Sequence, residues 1–109
     1  MTPGTTLPLE VMTAAQRLGE NVRIARIRRR LSQDDLAQAC SITRKTLYAL
    51  EKGAPGASIA TAFAVLWKLG LLSTAAGLAN PDADEHGKIL EAARRPQRVR
   101  QPVDNDNDF

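Results

Sequence analysis

Cysteine and histidine are nearly absent from this chain of 109 residues: Cys40 and His86 each stand alone. One cysteine excludes an intramolecular disulfide, and nothing points to an oxidising compartment. A zinc site or a Cys/His nucleophile pair needs ligands this chain does not have. Cys40 reads as a small core residue, as free cysteines usually are, and His86 as an exposed helix residue. No glycine-rich phosphate loop and no catalytic constellation of carboxylates is present, so neither enzymatic activity nor a cofactor is expected. The first dozen residues lack the basic flank and apolar run of a signal peptide. No apolar stretch approaches the roughly 20 residues that cross a bilayer. Together these absences lead us to expect a cytoplasmic chain with no membrane partner. Internal repeats and strand-rich regions are missing too.

What is present is segregated charge. The net charge is +3, yet from Arg17 to Lys68 ten basic side chains face four acidic ones, Glu20, Asp34, Asp35 and Glu51. A second basic cluster, Arg94, Arg95, Arg98 and Arg100, precedes an acidic tail with Asp104, Asp106 and Asp108. A basic body of this kind suits a phosphate backbone, whose charge dominates non-specific affinity for DNA.

The spacing predicts an all-α chain with a small core. Residues 1–12 read as a flexible leader, although Leu7, Leu9 and Val11 alternate as a short strand would. A first helix runs from about Thr13 to Arg30, with Leu18, Val22 and Ala25 as its buried stripe, widened by Ile24 and Ile27. Ser32 caps a second helix to about Cys40, with Asp35 completing a capping-box pattern. Thr43 caps a third, which runs to Lys52 and stops at Gly53. After the loop Ala54-Pro55-Gly56-Ala57, Ser58 caps a fourth helix ending at Leu69 and Gly70. In it Ile59, Ala62, Phe63, Leu66 and Leu69 are assigned to the core, which leaves Ala60, Ala64 and Trp67 on the far side. A helix apolar on every face is covered on every face, and a second subunit is the expected cover. A short fifth helix over 71–79 adds Leu71, Leu72 and Leu78 to that interface. A sixth spans about Asp82 to Arg94, acidic early and basic late as the helix dipole favours. Pro96 ends it, and the charged remainder has the composition of a flexible tail.

The second and third helices with their tight turn form a pattern that presents one helix to the DNA major groove. Arg44, Lys45, Tyr48, Ala49 and Lys52 share the face of the third helix opposite Leu47 and Leu50. Residues near the start of such a helix reach deepest, so Arg44 is placed to read guanine O6 and N7, with Lys45 and Tyr48 beside it. Lys52 is better placed for phosphate. Gln33 is assigned a phosphate contact, aided by the backbone N–H groups that follow Ser32.

These residues carry a resemblance. Leu18-Gly19, Val22-Arg23, Arg26, Leu31-Ser32-Gln33, Leu36-Ala37, Ile42-Thr43-Arg44 and Leu50-Glu51-Lys52-Gly53 resemble the lambda-repressor-like helix-turn-helix domain of the XRE regulators. The resemblance covers residues 18–70. It implies a compact five-helix domain over 13–79 that binds DNA and dimerises, followed by a C-terminal helix and charged tail over 80–109. It further implies DNA contacts from Gln33, Arg44, Lys45 and Tyr48, and a structural ion pair between Arg26 and Glu51; Thr43 and Lys52 complete the expected DNA-binding set. Two positions depart from the family: Ser41 and Arg30 stand where glycine is common, so a left-handed backbone there is uncomfortable.

Gly70-Leu71-Leu72, Ala79-Asn80-Pro81-Asp82, Asp84-Glu85 and Arg95-Pro96-Gln97-Arg98-Val99-Arg100 are similar to HipB-like antitoxins, which accompany HipA-type kinase toxins and repress their own operons as dimers. This implies a homodimeric repressor of a palindromic operator, with Trp67, Leu71 and Leu72 at the dimer interface and half-sites about 34–36 Å apart. The alternatives are a phage-type or housekeeping repressor without a toxin, and an adaptor that uses the same fold to hold a protein.

Overall fold

The computed structural model describes residues 6–94, and these divide into two units after Ala76. In the first unit four α-helices, α1 (Leu9–Arg28), α2 (Gln33–Ala39), α3 (Arg44–Glu51) and α4 (Ile59–Lys68), are followed by a single 3-10 turn at Leu72–Ala75. No strand occurs among the described residues.

Local chemistry sets the starts of these helices. Ser32, Thr43 and Ser58 each adopt an extended backbone, and each side-chain oxygen accepts the N–H three residues on, at 2.9, 3.0 and 3.0 Å. Such caps satisfy backbone donors that the helix itself leaves unpaired. At Ser32 the box is complete, because the Ser32 N–H donates in return to Asp35 Oδ2 at 3.1 Å. Hydrogen bonding to the carboxylate from the Ser32 backbone N–H first, and from the Ser32 side chain second, holds the Asp35 carboxyl below its usual range. The contribution of this carboxylate is therefore present above an ordinary Asp pKa and lost as pH falls through the depressed value. α1 starts differently. Its N-cap is Pro8, which has no side-chain cap, and the helix begins at Leu9 rather than at Thr13. Proline suits that boundary because its fixed φ leads into the first turn. Leu7, Leu9 and Val11 thus enter or precede a helix instead of a strand, and all three stay exposed.

The helix ends share one device. After each of α1 to α4 the second residue beyond the helix takes a left-handed backbone: Arg30 (φ 57°), Ser41 (φ 58°), Gly53 (φ 75°) and Gly70 (φ 78°). The N–H that follows closes a wide ring back to the helix, Leu31 to Arg26, Ile42 to Ala37, Ala54 to Ala49 and Leu71 to Leu66. This is the Schellman arrangement, in which the residue after the left-handed one folds back as an apolar plug. Leu31, Ile42 and Leu71 do so and pack against the core.

That core comprises Val22 and Ala25 of α1, Leu36 and Ala37 of α2, Leu47 and Leu50 of α3, and Ala62, Val65, Leu66 and Leu69 from α4 and its end. Three expected core positions lie elsewhere. Ile24 and Ile27 are exposed flanks of α1, and Ile59, in the first turn of α4, is 69% exposed. Val65 fills the centre instead, fully buried. α4 is apolar all round, so its pattern offered no polar face to show which side turns inward. The expected helix over 71–79 shrinks to the one 3-10 turn, because Leu71 is already committed to closing α4.

The second unit has a 3-10 turn at Pro81–Ala83, capped by Asn80, and α5 at Glu85–Arg94. Its helix starts at Glu85 rather than Asp82, since Pro81–Ala83 forms its own tighter turn. No α5 side chain is buried. Arg95, Arg98, Arg100 and the acidic tail lie outside the described residues, as does the leader up to residue 5.

A left-handed backbone costs a non-glycine residue about 1–2 kcal/mol, against about 0.5–1 kcal/mol of extra chain entropy for glycine. Ser41→Gly is therefore expected to stabilise the chain by about 0.5–1 kcal/mol, read as a raised denaturation midpoint, and Arg30→Gly by less, because it also removes a positive charge from a helix C-terminus.

Candidate nucleic-acid interface

Glu51, the last residue of α3, is the one charged side chain buried in the described core, at 6% exposure. It cannot be left alone there, since an unpaired buried charge costs several kcal/mol. Arg26 of α1 answers it: Nε donates to Glu51 Oε2 at 2.7 Å and an Nη to Oε1 at 3.1 Å. The other Nη of Arg26 donates to the Leu31 carbonyl at 2.9 Å, fixing the turn into α2. Gln33 of α2 supplies the third partner, its amide nitrogen donating to Glu51 Oε1 at 3.0 Å. One carboxylate thus joins α1, α2 and α3.

The approach of α1 to α3 is close enough to require glycine. A Cβ on Gly19 would lie against the carbonyl oxygens of Leu50 and Glu51. One on Gly53 would come within 2.6 Å of the Gln16 backbone. These contacts and the ion pair fix the C-terminal end of α3 to α1, while Leu47 and Leu50 hold its inner face.

The outer face of α3 is then set. Arg44, Lys45, Tyr48 and Lys52 are all exposed. Lys52 Nζ sits 5.5 Å from the centre of the Tyr48 ring, within cation–π range, so the two side chains form one amphipathic tip. Below it a groove is lined by Gln16, Glu20, Arg23, Arg26, Gln33, Tyr48, Glu51 and Lys52. Sequence reasoning did not single out Gln16 or Arg23. Gln16, Glu20 and Arg23 fall at i, i+4 and i+7 on α1, a spacing that marks one helix face.

The structure brings some of the expected contact residues together in ways that change their role. Gln33 does not point its amide away from the body: one of its N–H groups is committed to Glu51, and its carbonyl oxygen accepts from Arg44 Nε at 3.4 Å. Of the N–H groups after Ser32 expected to favour an anion, that of Asp35 is already occupied by the capping box. Thr43 is first a cap, and its hydroxyl also pairs with that of Thr46 at 2.9 Å. Of the three expected interface residues, Trp67 is 64% exposed and Leu72 is exposed, whereas Leu71 packs on the core as the plug after α4. Cys40 is half-buried, its sulfur 3.9 Å from the Ala64 carbonyl. Burial pushes its thiol pKa up, with Lys68 opposing weakly, so it is a protonated and poor nucleophile at neutral pH. No cluster of metal-ligating side chains occurs among the described residues, and no helix among them is long and apolar enough to cross a membrane.

A capped short helix, a tight left-handed turn and a second capped helix with an exposed basic face form the arrangement that docks in a major groove. The family model described as a helix-turn-helix domain matches residues 17–71, which is just over half the chain. The chain belongs to the helix-turn-helix domain family. No curated protein and no solved structure matches it. The matched stretch begins on α1 and ends at Leu71, so it takes in the Arg26–Glu51 pair and all four left-handed helix ends.

Removing one member of a buried pair leaves the other uncompensated, so Glu51→Ala is expected to cost about 3–5 kcal/mol in denaturant unfolding. The double replacement Arg26→Met with Glu51→Leu is expected to cost clearly less, because it removes both charges and keeps the volume.

Proposed function

We propose that this chain is a sequence-specific DNA-binding transcriptional repressor that works as a homodimer on a palindromic operator. The observation that carries the reading is the outer face of α3. Arg44, Lys45, Tyr48 and Lys52 are exposed together, on a helix whose inner face and C-terminal end are fixed to the core. Arg44 at the start of the helix reaches base edges, Lys45 and Tyr48 flank it, and Lys52 takes a phosphate. The basic balance of the body supplies the non-specific attraction. Gln33 acts in this reading by positioning Arg44, with its second amide N–H available to the backbone of the duplex. Such a role places the protein in the cytoplasm with its DNA.

The dimer reading is supported by α4. Ile59, Phe63 and Trp67 follow at i, i+4 and i+8, a ridge of the kind that packs into a groove of another helix. Ile59 and Trp67 are exposed, and Leu72 lies just beyond. Leu71 is not part of this surface. The resemblance of the segments around Gly70–Leu72, Ala79–Glu85 and Arg95–Arg100 to HipB-like antitoxins supports a finer assignment. In it the chain is the antitoxin of a type II toxin–antitoxin pair, its partner is a HipA-type kinase, and it represses its own operon.

Fluorescence anisotropy with DNA from immediately upstream of the gene, beside a scrambled duplex at several salt concentrations, tests the core of this proposal. Strong preference for the upstream fragment supports an autoregulating repressor; equal, salt-labile binding to both supports the protein-adaptor alternative. Arg44→Ala is expected to erode that preference by roughly ten- to hundredfold, the worth of one bidentate guanine contact. Lys52→Ala is expected to weaken both duplexes alike and to lower the salt slope by about 1. For the dimer, Trp67→Glu is expected to halve the mass measured by light scattering at micromolar concentration. A monomeric wild-type chain under those conditions would sink the dimer.

A further inference from the structure

Asp34 has no part in the capping of α2, which Ser32 and Asp35 complete between them. Its carboxylate lies instead beside the residue best placed to read a base: Asp34 Oδ1 is 3.9 Å from Arg44 Nε. The same Nε donates to Gln33 Oε1 at 3.4 Å. Gln33 is in turn held by Glu51, and Glu51 by Arg26, so this side of the guanidinium is tied through Gln33 to the buried pair.

Both contacts are made through Nε, on the stem side of the guanidinium, and neither occupies the terminal nitrogens. Arginine offers five N–H donors in a fixed planar fork, so holding the Nε edge leaves the end-on pair, Nη1 and Nη2, for a bidentate acceptor. Guanine O6 and N7 are such an acceptor, and so are two oxygens of a phosphate. The phosphate is present at every step of every sequence, and an arginine captured by it carries no information.

The carboxylate tells the two acceptors apart. A phosphate that approached Arg44 would bring a second negative charge close to Asp34, whereas the edge of guanine is neutral overall. The attraction Arg44 can offer to an anion is already partly answered by Asp34. The exposed pair is worth little as a stabiliser of the fold, with the two side chains 66% and 75% exposed. Its effect falls on whatever binds there.

We propose that Asp34 is a specificity residue: together with Gln33 it engages Arg44 through Nε, presents the terminal fork to a base edge, and disfavours capture of the same fork by the phosphate backbone. This rests on the reading of α3 as a DNA-reading helix. It assigns to an acidic residue, inside an otherwise basic face, the task of making wrong sequences bind worse, which is how discrimination is gained without a new attractive contact.

The test uses the full chain and a duplex enriched by the wild-type protein from a randomised pool, beside a scrambled duplex of the same composition. Asp34→Asn is expected to tighten binding to the scrambled duplex by roughly 1.4- to 5-fold, the range of one exposed charge pair. It is expected to tighten the enriched duplex distinctly less, so that the ratio between them falls, and to steepen the salt dependence on the scrambled one. Glu10→Gln makes the same change in net charge from the first turn of α1 and is expected to leave the ratio unchanged. If Asp34→Asn tightens both duplexes by one factor, as a simple charge change would, the proposal is overturned while DNA reading stands. If the wild-type chain enriches no sequence at all, the DNA-reading assignment fails and takes this proposal with it.

Discussion

The buried carboxylate of Glu51 is the constraint on which the first unit depends. Burying it is costly, and the cost is met only when Arg26 and Gln33 both reach it with good geometry. That requirement ties three helices to one point. α1 brings Arg26, α2 brings Gln33, and α3 ends at Glu51 itself, with Gly19 allowing the helix backbones to come together. An apolar residue at position 51 would be satisfied by many helix crossings. A carboxylate with two named partners is satisfied by few, so this site, together with the buried Leu47 and Leu50, sets the direction in which α3 presents its outer face.

The four left-handed helix ends supply the other half of that geometry. Each turns the chain sharply, and three of the four send the next apolar residue back to the core: Leu31, Ile42 and Leu71. Glycine meets the backbone requirement after α3 and α4 at no steric cost, while Arg30 and Ser41 meet it under strain. Arg30 brings a compensation, because a positive charge just past a helix C-terminus interacts well with the helix dipole. The turn between α2 and α3 is thus held in place by the packing of Ile42 and the cap at Thr43, despite a residue that resists its conformation.

Charge in this molecule is arranged by depth. The buried pair orients helices, the half-exposed Gln33 passes that order outwards, and the exposed basic side chains of α3 meet whatever lies outside. Acidic residues near this face are few, and each has a distinct place: Asp35 in the cap, Glu51 in the core, Asp34 beside Arg44, and Glu20 paired with Arg23 on α1.

How much of this was legible beforehand depends on the range of the interaction. Caps and stops involve residues three to five apart, so Ser32, Thr43, Ser58, Gly53 and Gly70 announced α2, α3 and α4 nearly to the residue. The exposed face of α3 was legible for the same reason, since Leu47 and Leu50 fix which side turns inward. The partners of Glu51 lie 25 and 18 residues away, and periodicity says nothing about such distances. Arg26 was found only through resemblance, and the inward turn of Gln33 was not found at all. α4, apolar on every side, gave no contrast from which to choose its core face, so Ile59 was placed inside and Val65 was left out. Leu71 read as a free apolar residue until the chain reversal after α4 folded it back. The sequence by itself determined where α2, α3 and α4 begin and end and which residues of α3 face outwards, because those are local matters of capping and spacing. Only the tertiary structure decided which buried groups meet and which apolar side chains remain for a partner, because those depend on how the helices cross.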